Sequence, residues 1–270
     1  YFTASVKLNG RDNMGAVAYT IYNGEEEIGT TAGASEQDVY FTINNLKAGT
    51  TYNFSVVASD DKGNKAEAVP LEVTTLAAPA PAPAPTLAAA DVISIYSDAY
   101  EAATWFNLGG WGQSTVITRG EIAEGDEVFY LYNANYMGWE LNNNVAAFDA
   151  TGFTGVHMDI YPEEGTSIGF TPIWGAEAAT SKPLEAGKWN SVDFEFSLYN
   201  GINLANIYQL KWDWMPAKMF LDNVYIYKST LPEGVDNLKA SENVQKVLID
   251  GKIFIIRDGK AYNVMGVQVK

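Results

Sequence analysis

The stretch DVYFTINNLKAGTTYNFSVVASD, residues 38–60, holds two segments in which apolar and polar residues alternate, separated by the turn residues Ala48 and Gly49. Alternation is typical of a strand with one buried face, because successive side chains point to opposite faces of a sheet. AVAYTIYNG, at 16–24, repeats the pattern and ends on the turn pair Asn23-Gly24. Residues 1–75 are therefore predicted to fold as a β-domain.

A second set of short strands is predicted across residues 91–229. Turns such as Glu124-Gly125-Asp126 separate the segments DVISIYS, EVFYLYN, GVHMDIYP, SIGFTPIW, NSVDFEF and MFLDNVYIYK. Many short strands without a sustained helical period indicate a β-sandwich. Only AYEAATWF and NLANIYQL are expected to form short helical turns. The fold class expected for the whole chain is all-β.

The boundary between these two domains is LAAPAPAPAPTLAAA, residues 76–90. Alternating Ala and Pro favours an extended polyproline-like path that cannot pair in a sheet. We expect a semi-rigid spacer of roughly 3 Å per residue, with a proline-rich docking site as the alternative. Residues 230–270 follow as a polar connector, TLPEGVDNLKASENVQ, and a short β-segment of three strands separated by two Asp-Gly turns.

The stretch INNLKAGTTYNFSVVASDDKGNKAE resembles the fibronectin type III family. Leu46 precedes Tyr52 in the arrangement of that family's tyrosine corner, in which the Tyr hydroxyl ties the loop back to the backbone. The resemblance covers nearly all of residues 1–75. It implies an immunoglobulin-like sandwich of about seven strands, acting as a spacer domain.

Residues 91–229 resemble a jelly-roll module of secreted Bacteroidetes glycoside hydrolases and surface proteins. The order of motifs carries the resemblance, and WGQST and LDNVYIYK are the most specific of them. Such modules look like carbohydrate-binding domains, with no catalytic step attributed to them. The final stretch GKIFIIRDGKAYNVMG is similar to the C-terminal sorting segments of secreted Bacteroidetes proteins. Together these resemblances imply an extracellular, secreted or cell-surface protein.

Composition excludes several classes of partner and chemistry. The net charge is −16, so nucleic acid and anionic membrane surfaces would be repelled, whereas a neutral glycan would not. The chain has no Cys, which removes disulfides, thiol nucleophiles and thiolate metal sites. The sequence contains no run of about 18 apolar residues, so it predicts no membrane-spanning helix. We expect a monomer.

The 7 Trp all lie beyond residue 100, and this asymmetry points to a local use for them. A pyranose has an apolar face of C–H groups, which an aromatic ring can cover, and polar edges, which amides and charged groups can bind. Trp111 lies in the Gly-rich loop GGWGQ, and Trp212 and Trp214 at i and i+2 would share one face of a strand. Core burial is the alternative for each ring. The predicted carbohydrate-binding residues are Trp111, Gln113, Asn135, Tyr136, Trp139, Trp174, Trp212 and Trp214.

Two further patterns concern catalysis and metal binding. His157 and Asp159 alternate on one strand, and a hydrogen-bonded pair within the sheet is favoured over an active site, because no nucleophile motif accompanies them. No cofactor is required. Resemblance to jelly-roll carbohydrate modules implies a structural calcium with Asp98 and Asp222 as its ligands, but calcium needs six to eight oxygens and two acids are too few, so a solvated carboxylate or turn cap is favoured.

Three functions compete. A glycoside hydrolase would need two carboxylates facing each other across a cleft, and the acids here occur in loops such as EIAEGDE, as solvated side chains do. The sequence therefore predicts no enzyme. It favours a non-catalytic glycan-binding protein, with a surface adhesin or structural protein that binds another protein as the alternative.

Overall fold

The computed structural model describes residues 1–13, 15–102, 106–141 and 149–229, together with four strands near the C-terminus. The chain divides into two compact units, Tyr1–Ser229 and Thr230–Lys270. Outside the strands, the described residues form three short 3-10 turns, at Ala89–Asp91, Phe196–Leu198 and Leu204–Asn206. The last of these confirms a short turn within NLANIYQL, whereas AYEAATWF lies partly outside the described residues. The predicted all-β fold class is confirmed.

Six strands build the first sandwich: β1 (Ala4–Leu8), β2 (Ala16–Asn23), β3 (Glu26–Ala34), β4 (Val39–Ile43), β5 (Thr51–Ser59) and β6 (Val69–Thr74). One sheet pairs β1 with β4, and the other has the order β3-β2-β5-β6. The inward positions of the alternating segments, such as Val17, Tyr19 and Ile21 of β2, form the core between the sheets. The resemblance implies seven strands, whereas the described residues of this domain form six, in sheets of two and four.

The loop between β4 and β5 is held as the sequence predicts. The backbone N–H of Lys47 donates a hydrogen bond to the hydroxyl of Tyr52 at 2.7 Å. Leu46, one residue earlier, is buried in the core of this sandwich. The predicted tie between the Tyr hydroxyl and the loop backbone is therefore present.

The second sandwich has two larger sheets. Its strands are β7 (Val92–Tyr96), β8 (Phe106–Leu108), β9 (Val116–Ala123), β10 (Asp126–Tyr132), β11 (Met137–Leu141), β12 (Gly155–Pro162), β13 (Ser167–Ile173), β14 (Thr180–Pro183), β15 (Asn190–Glu195), β16 (Gln209–Asp213) and β17 (Lys218–Tyr227). Five strands form a sheet in the order β14-β13-β16-β11-β8. Six form the other, in the order β15-β12-β17-β10-β9, with β7 also paired to β17.

The two sheets of this sandwich enclose the largest core of the molecule. Strand alternation sends Met137, Trp139 and Leu141 of β11 inward, together with Leu210 and Trp212 of β16. The six-stranded sheet contributes residues such as Val156, Met158 and Ile160 from the opposite side. The inner faces of both sheets are used by the core, so a binding surface has to be sought on the outer face of one of the sheets.

The Ala/Pro stretch makes contacts with the second sandwich, which a free spacer would not make. The indole N–H of Trp189, in the second sandwich, donates to the carbonyl of Ala80 at 2.7 Å. Ala78 packs in an apolar cluster with Phe2 and Phe220. Proline fixes the extended path, as expected, but it leaves the carbonyls free to accept hydrogen bonds from a neighbouring surface.

The unit Thr230–Lys270 contains one antiparallel sheet of β18 (Val244–Ile249), β19 (Lys252–Arg257), β20 (Lys260–Asn263) and β21 (Gln268–Val269), in that order. Three strands were predicted, and the structure adds the short β21. The polar connector up to residue 243 and both Asp-Gly turns lie outside the described residues.

Candidate functional site

The outer face of the five-stranded sheet is polar. Because Trp139 and Leu210 point inward, their neighbours Gly138 and Glu140 on β11, and Gln209, Lys211 and Asp213 on β16, point outward. Glu140 lies opposite Gln209 and Gly138 lies opposite Lys211 in the register of these two strands. The face therefore presents hydrogen-bonding groups in rows, with a glycine gap on β11.

Trp111 fills that gap. Gly109 donates its backbone N–H to the carbonyl of Gly138 at 2.8 Å, so the two glycines lie side by side. A Cβ atom on either glycine would overlap the Trp111 ring, the six-membered ring at Gly138 and the pyrrole ring at Gly109. The ring Nε1–H donates to Glu140 Oε1 at 3.1 Å. Trp111 is half-buried on this platform, which fixes the ring on the outer face of the sheet.

The polar residues around Trp111 hold its loop in place. Gln113 accepts a hydrogen bond from the Trp111 backbone N–H at 2.8 Å and donates its amide to the Gly109 carbonyl at 2.7 Å. Tyr136 donates its hydroxyl to the Trp111 carbonyl, and Asn135 Oδ1 accepts from the Ser114 N–H at 3.0 Å. Gln113, Asn135 and Tyr136 therefore position the aromatic ring through the backbone.

Trp214 is the most exposed indole among the described residues, with 62% of its surface accessible. It follows the end of β16 with a positive φ of 47°, a conformation uncommon outside glycine. The ring lies over Gly169 of β13, where a Cβ atom would overlap it. Trp212 and Trp214 do not share a face, so that prediction is wrong. The left-handed residue interrupts the strand alternation on which it depended.

Trp139 and Trp212 are fully buried, which contradicts their prediction as sugar contacts. Trp139 packs against Phe106 at 4.4 Å between ring centroids and against Trp212 at 4.8 Å. Trp174 is half-buried against the same core, edge-on to Tyr199. Among the indoles that the structure describes, Trp111 and Trp214 are the two that lie on glycines of the outer face of the five-stranded sheet.

A charged strip separates those two rings. Lys211 Nζ lies 2.8 Å from Glu177 Oε2 and 3.6 Å from Asp213 Oδ1. The hydrogen bond to Glu177 raises the pKa of Lys211, and the charge of Asp213 adds to the effect against partial burial. The strip is therefore a row of fixed donors and acceptors.

The spacing of the rings follows from the register. Gly138 lies opposite Lys211, and Gly169 lies opposite Asp213, with β16 between the two glycine strands. Neighbouring strands are about 4.8 Å apart, so Gly138 and Gly169 are separated by about 10 Å across the strands. Along the strand direction they are separated by one side-chain repeat, about 7 Å. A ligand that covers both rings must be longer than one pyranose.

The structure places the predicted Trp111 and Trp214 on this face, next to Glu140, Lys211 and Asp213, which the sequence did not single out. The signal was present: once Trp139, Leu210 and Trp212 are assigned to the core, alternation places these three outside. Alternation could not predict the position of Glu177, because this residue lies in the loop after β13. Its contact with Lys211 is made by residues 34 positions apart.

His157 lies on the outer face of the other sheet. Its Nδ1 is 2.8 Å from Asp193 Oδ1 and its Nε2 is 3.6 Å from Asp159 Oδ1, while the ring stacks on Tyr225. Burial lowers the pKa of His157, but the hydrogen bonds and charges of Asp159 and Asp193 outweigh it and raise the pKa to about 9. The sequence favours a hydrogen-bonded pair of His157 and Asp159, whereas the hydrogen bond of His157 is made to Asp193 and Asp159 lies at ion-pair distance.

The acids proposed for calcium do not form a complete carboxylate site. Asp98 Oδ2 accepts the Glu127 N–H at 2.6 Å, and the buried Asp222 accepts the N–H of Asn223. Burial, followed by the charges of Asp126, Asp98 and Asp159, raises the pKa of Asp222 to about 7. Within the part of the chain that the structure describes, no three acidic or histidine side chains converge as a metal site. Calcium at Asp98 and Asp222 stays a prediction.

Neither a family model nor a curated protein sequence matches the chain. Among solved structures it is similar to a family 11 carbohydrate-binding module of Clostridium thermocellum, solved with a β-1,3-1,4-mixed-linked tetrasaccharide, at 14% identity and a TM-score of 0.33 over 46% of this chain and 88% of that one. A mutant of a family 29 carbohydrate binding module aligns at 10% identity and 0.34, over 50% and 89%. A SusE-like protein aligns at 8% and 0.26, over 83% and 92%. Similarity this low transfers no ligand, so function has to be inferred from this chain's own side chains.

Across the described ranges, helices of the length and apolar character needed to cross a membrane are absent.

Proposed function

We propose that this chain is a non-catalytic, secreted or cell-surface protein that binds a neutral polysaccharide or oligosaccharide on the outer face of its five-stranded sheet. The observation that carries the proposal is the pair Trp111 and Trp214. Each indole is set on a glycine, at Gly138 and Gly169, beside the polar side chains that β11 and β16 send outward. A ring in such a place covers no core, whereas it offers a flat apolar surface to a ligand.

The polar side chains between Trp111 and Trp214 can form hydrogen bonds with the hydroxyl groups at the edges of a sugar ring. Hydroxyl groups donate and accept hydrogen bonds, and Glu140, Gln209, Lys211 and Asp213 supply both kinds of partner. The three acids Glu140, Glu177 and Asp213 outnumber Lys211, which disfavours an anionic glycan. Each aromatic contact adds about 0.5–1.5 kcal/mol beyond burial, so two of them predict binding in roughly the micromolar to millimolar range.

A glycan array followed by calorimetry tests the proposal. We expect saturable binding to a neutral glycan, and a loss of about tenfold in affinity for each of Trp111→Ala and Trp214→Ala, from about 1.4 kcal/mol per ring. Tyr40→Ala is the matched control, because Tyr40 is 64% exposed on the first sandwich, away from this face. Its affinity should equal that of the parent.

Two results would overturn the proposal: the absence of saturable binding to any neutral glycan, or binding that survives both Trp substitutions unchanged. Retained binding to another protein in a chain that binds no sugar would instead support the adhesin alternative. The resemblances of the sequence to secreted modules support the location, and calcium at Asp98 and Asp222 is kept as a separate proposal.

A further inference from the structure

The outer face of the six-stranded sheet differs from the glycan-binding face because it is aromatic and covered. Val128, Tyr130 and Phe220 point outward from this sheet, yet they are 0%, 8% and 0% exposed. They belong to one cluster with Phe2, and Tyr1, Ala48, Ala78, Ile122, Tyr161 and Trp189 pack against it. The first sandwich and the Ala/Pro stretch thus supply the cover. We name this cluster the seam.

The N-terminal aromatics sit deep in the seam. Phe2 is 1% exposed and lies on Gly120 of β9, where a Cβ atom would overlap its ring. Tyr1 meets the rings of Tyr130 and Phe220 edge-on, at 4.6 and 4.8 Å between centroids. At the rim, the ammonium of Lys47 on the first sandwich pairs with Glu121 on the second. The contact has a packed apolar centre and a charged rim.

Three side chains of the second domain donate hydrogen bonds to backbone carbonyls spaced three and four residues apart along the Ala/Pro stretch. Trp189 Nε1–H donates to Ala80 at 2.7 Å, Asn223 Nδ2–H to Pro83 at 3.5 Å, and the Tyr100 hydroxyl to Leu87 at 2.9 Å. At the other end, the carbonyl of Leu76 accepts the N–H of Gly49 in the first sandwich. The stretch therefore contacts both domains along its length.

We propose that residues 76–88 form a strap and that, with the seam, they lock the two sandwiches into one rigid body. The outer face of the six-stranded sheet is then the docking surface for the first sandwich. That leaves the five-stranded sheet with the free outer face, and it fixes the direction in which this face points relative to the first sandwich. A chain with a flexible spacer would let the two sandwiches turn independently.

Spin-label distances in the full chain test this directly, since the protein has no Cys of its own. Glu25→Cys, in the turn between β2 and β3, and Asn200→Cys, in an exposed turn of the second sandwich, place one label on each domain. We expect a single narrow distance distribution in the parent. A broad distribution, like that of two domains on a tether, would overturn the proposal.

Variants then separate the seam from the strap. Phe2→Ala removes the central ring of the seam, and Trp189→Phe keeps an aromatic ring but removes the donor to Ala80. We expect each to broaden the distance distribution, while Tyr40→Ala leaves it unchanged. Glycan binding and the circular dichroism spectrum check that each variant is folded. A narrow distribution that persists in the double variant would show that neither feature locks the domains.

Discussion

At the scale of single residues, the absence of a side chain at Gly138 decides whether the site exists. Adding one methyl group there would drive it into the Trp111 ring, which lies directly on the glycine. We expect Gly138→Ala to push the ring off the sheet and to weaken glycan binding as much as Trp111→Ala does, at about tenfold. Calorimetry with the glycan found by the array measures this.

Gly110→Ala provides the matched control for this substitution. Gly110 lies in the same loop as Trp111, and a Cβ atom there would meet nothing within 4 Å. Its binding and its tryptophan emission should equal those of the parent chain. If Gly138→Ala binds glycan normally, the platform is not what orients the ring.

Two buried groups make stability depend on pH. The pKa of Asp222 is raised to about 7 by burial and by neighbouring acids, and the pKa of His157 is raised to about 9 by Asp159 and Asp193 against the effect of burial. A group whose pKa is higher in the folded state stabilises the fold below its unfolded pKa and loses that contribution as the pH rises through the folded value. Stability should therefore fall from about pH 4 to 7 through Asp222, and from about pH 6.5 to 9 through His157.

Urea unfolding at several pH values, with chelator present, measures these slopes. One pKa unit corresponds to about 1.4 kcal/mol, so Asp222 contributes a change on the order of 2–4 kcal/mol. Asp222→Asn should flatten the lower window, and His157→Gln should flatten the upper one. A parent chain whose stability rises across both windows would contradict the assignment. Repeating the series in millimolar calcium tests the metal prediction, because a bound ion would stabilise the parent at high pH but not Asp222→Asn.

At the scale of elements, the kink in β17 depends on Asn223. This residue has a positive φ of 50° within the strand, and the pairing of β17 with β7 shifts register at the next residue. Its amide donates to Asp159 at 2.8 Å and accepts from Ser97 at 2.7 Å. Asn223→Gly keeps the backbone conformation and loses these two hydrogen bonds together with the longer one to Pro83, at a cost of about 1–3 kcal/mol. Asn223→Ala should cost about 1–2 kcal/mol more, because alanine is strained at this φ.

Asn45 is a control that separates backbone strain from the loss of side-chain hydrogen bonds, since it has a φ of 60° at an exposed turn. Asn45→Ala should lose about 1 kcal/mol and Asn45→Gly almost nothing, as measured by urea unfolding. Equal losses for Asn223→Gly and Asn223→Ala would show that backbone conformation does not contribute at the kink.

Element prediction succeeded where one face of a strand is buried. AVAYTIYNG, EVFYLYN and GVHMDIYP became β2, β10 and β12, because apolar alternation records which face meets the core. In the second sandwich the strand prediction did not include the short β8 and β14, nor β9 and β11. At the site, Trp111 could be found from its glycines, but the separation of Trp212 from Trp214 depends on one left-handed residue that the sequence does not mark.

At the scale of the whole molecule, the Ala/Pro stretch shows where composition stops being informative. Composition determines the extended backbone of residues 76–88, because proline restricts φ. Whether that backbone lies in solvent or on a surface depends on aromatic residues distant in the sequence. Trp189, for example, donates its indole N–H to the carbonyl of Ala80, 109 residues away. The same distant packing buries Phe2. A contact of this kind has no local sequence pattern.

The overall charge makes a last prediction about which glycans bind. With a net charge of −16, the chain repels anionic sugars at long range, and Glu140, Glu177 and Asp213 repeat that sign at the site, where Lys211 is already paired. Affinity for a neutral oligosaccharide should stay constant between about 0.05 and 0.5 M NaCl, because screening acts only on charged ligands. A glycan of the same backbone that carries uronic acids should bind more weakly, and it should recover part of its affinity as salt rises. Tighter binding of the acidic glycan at low salt would mean that Lys211, released from Glu177 and Asp213, governs recognition in place of the aromatic rings.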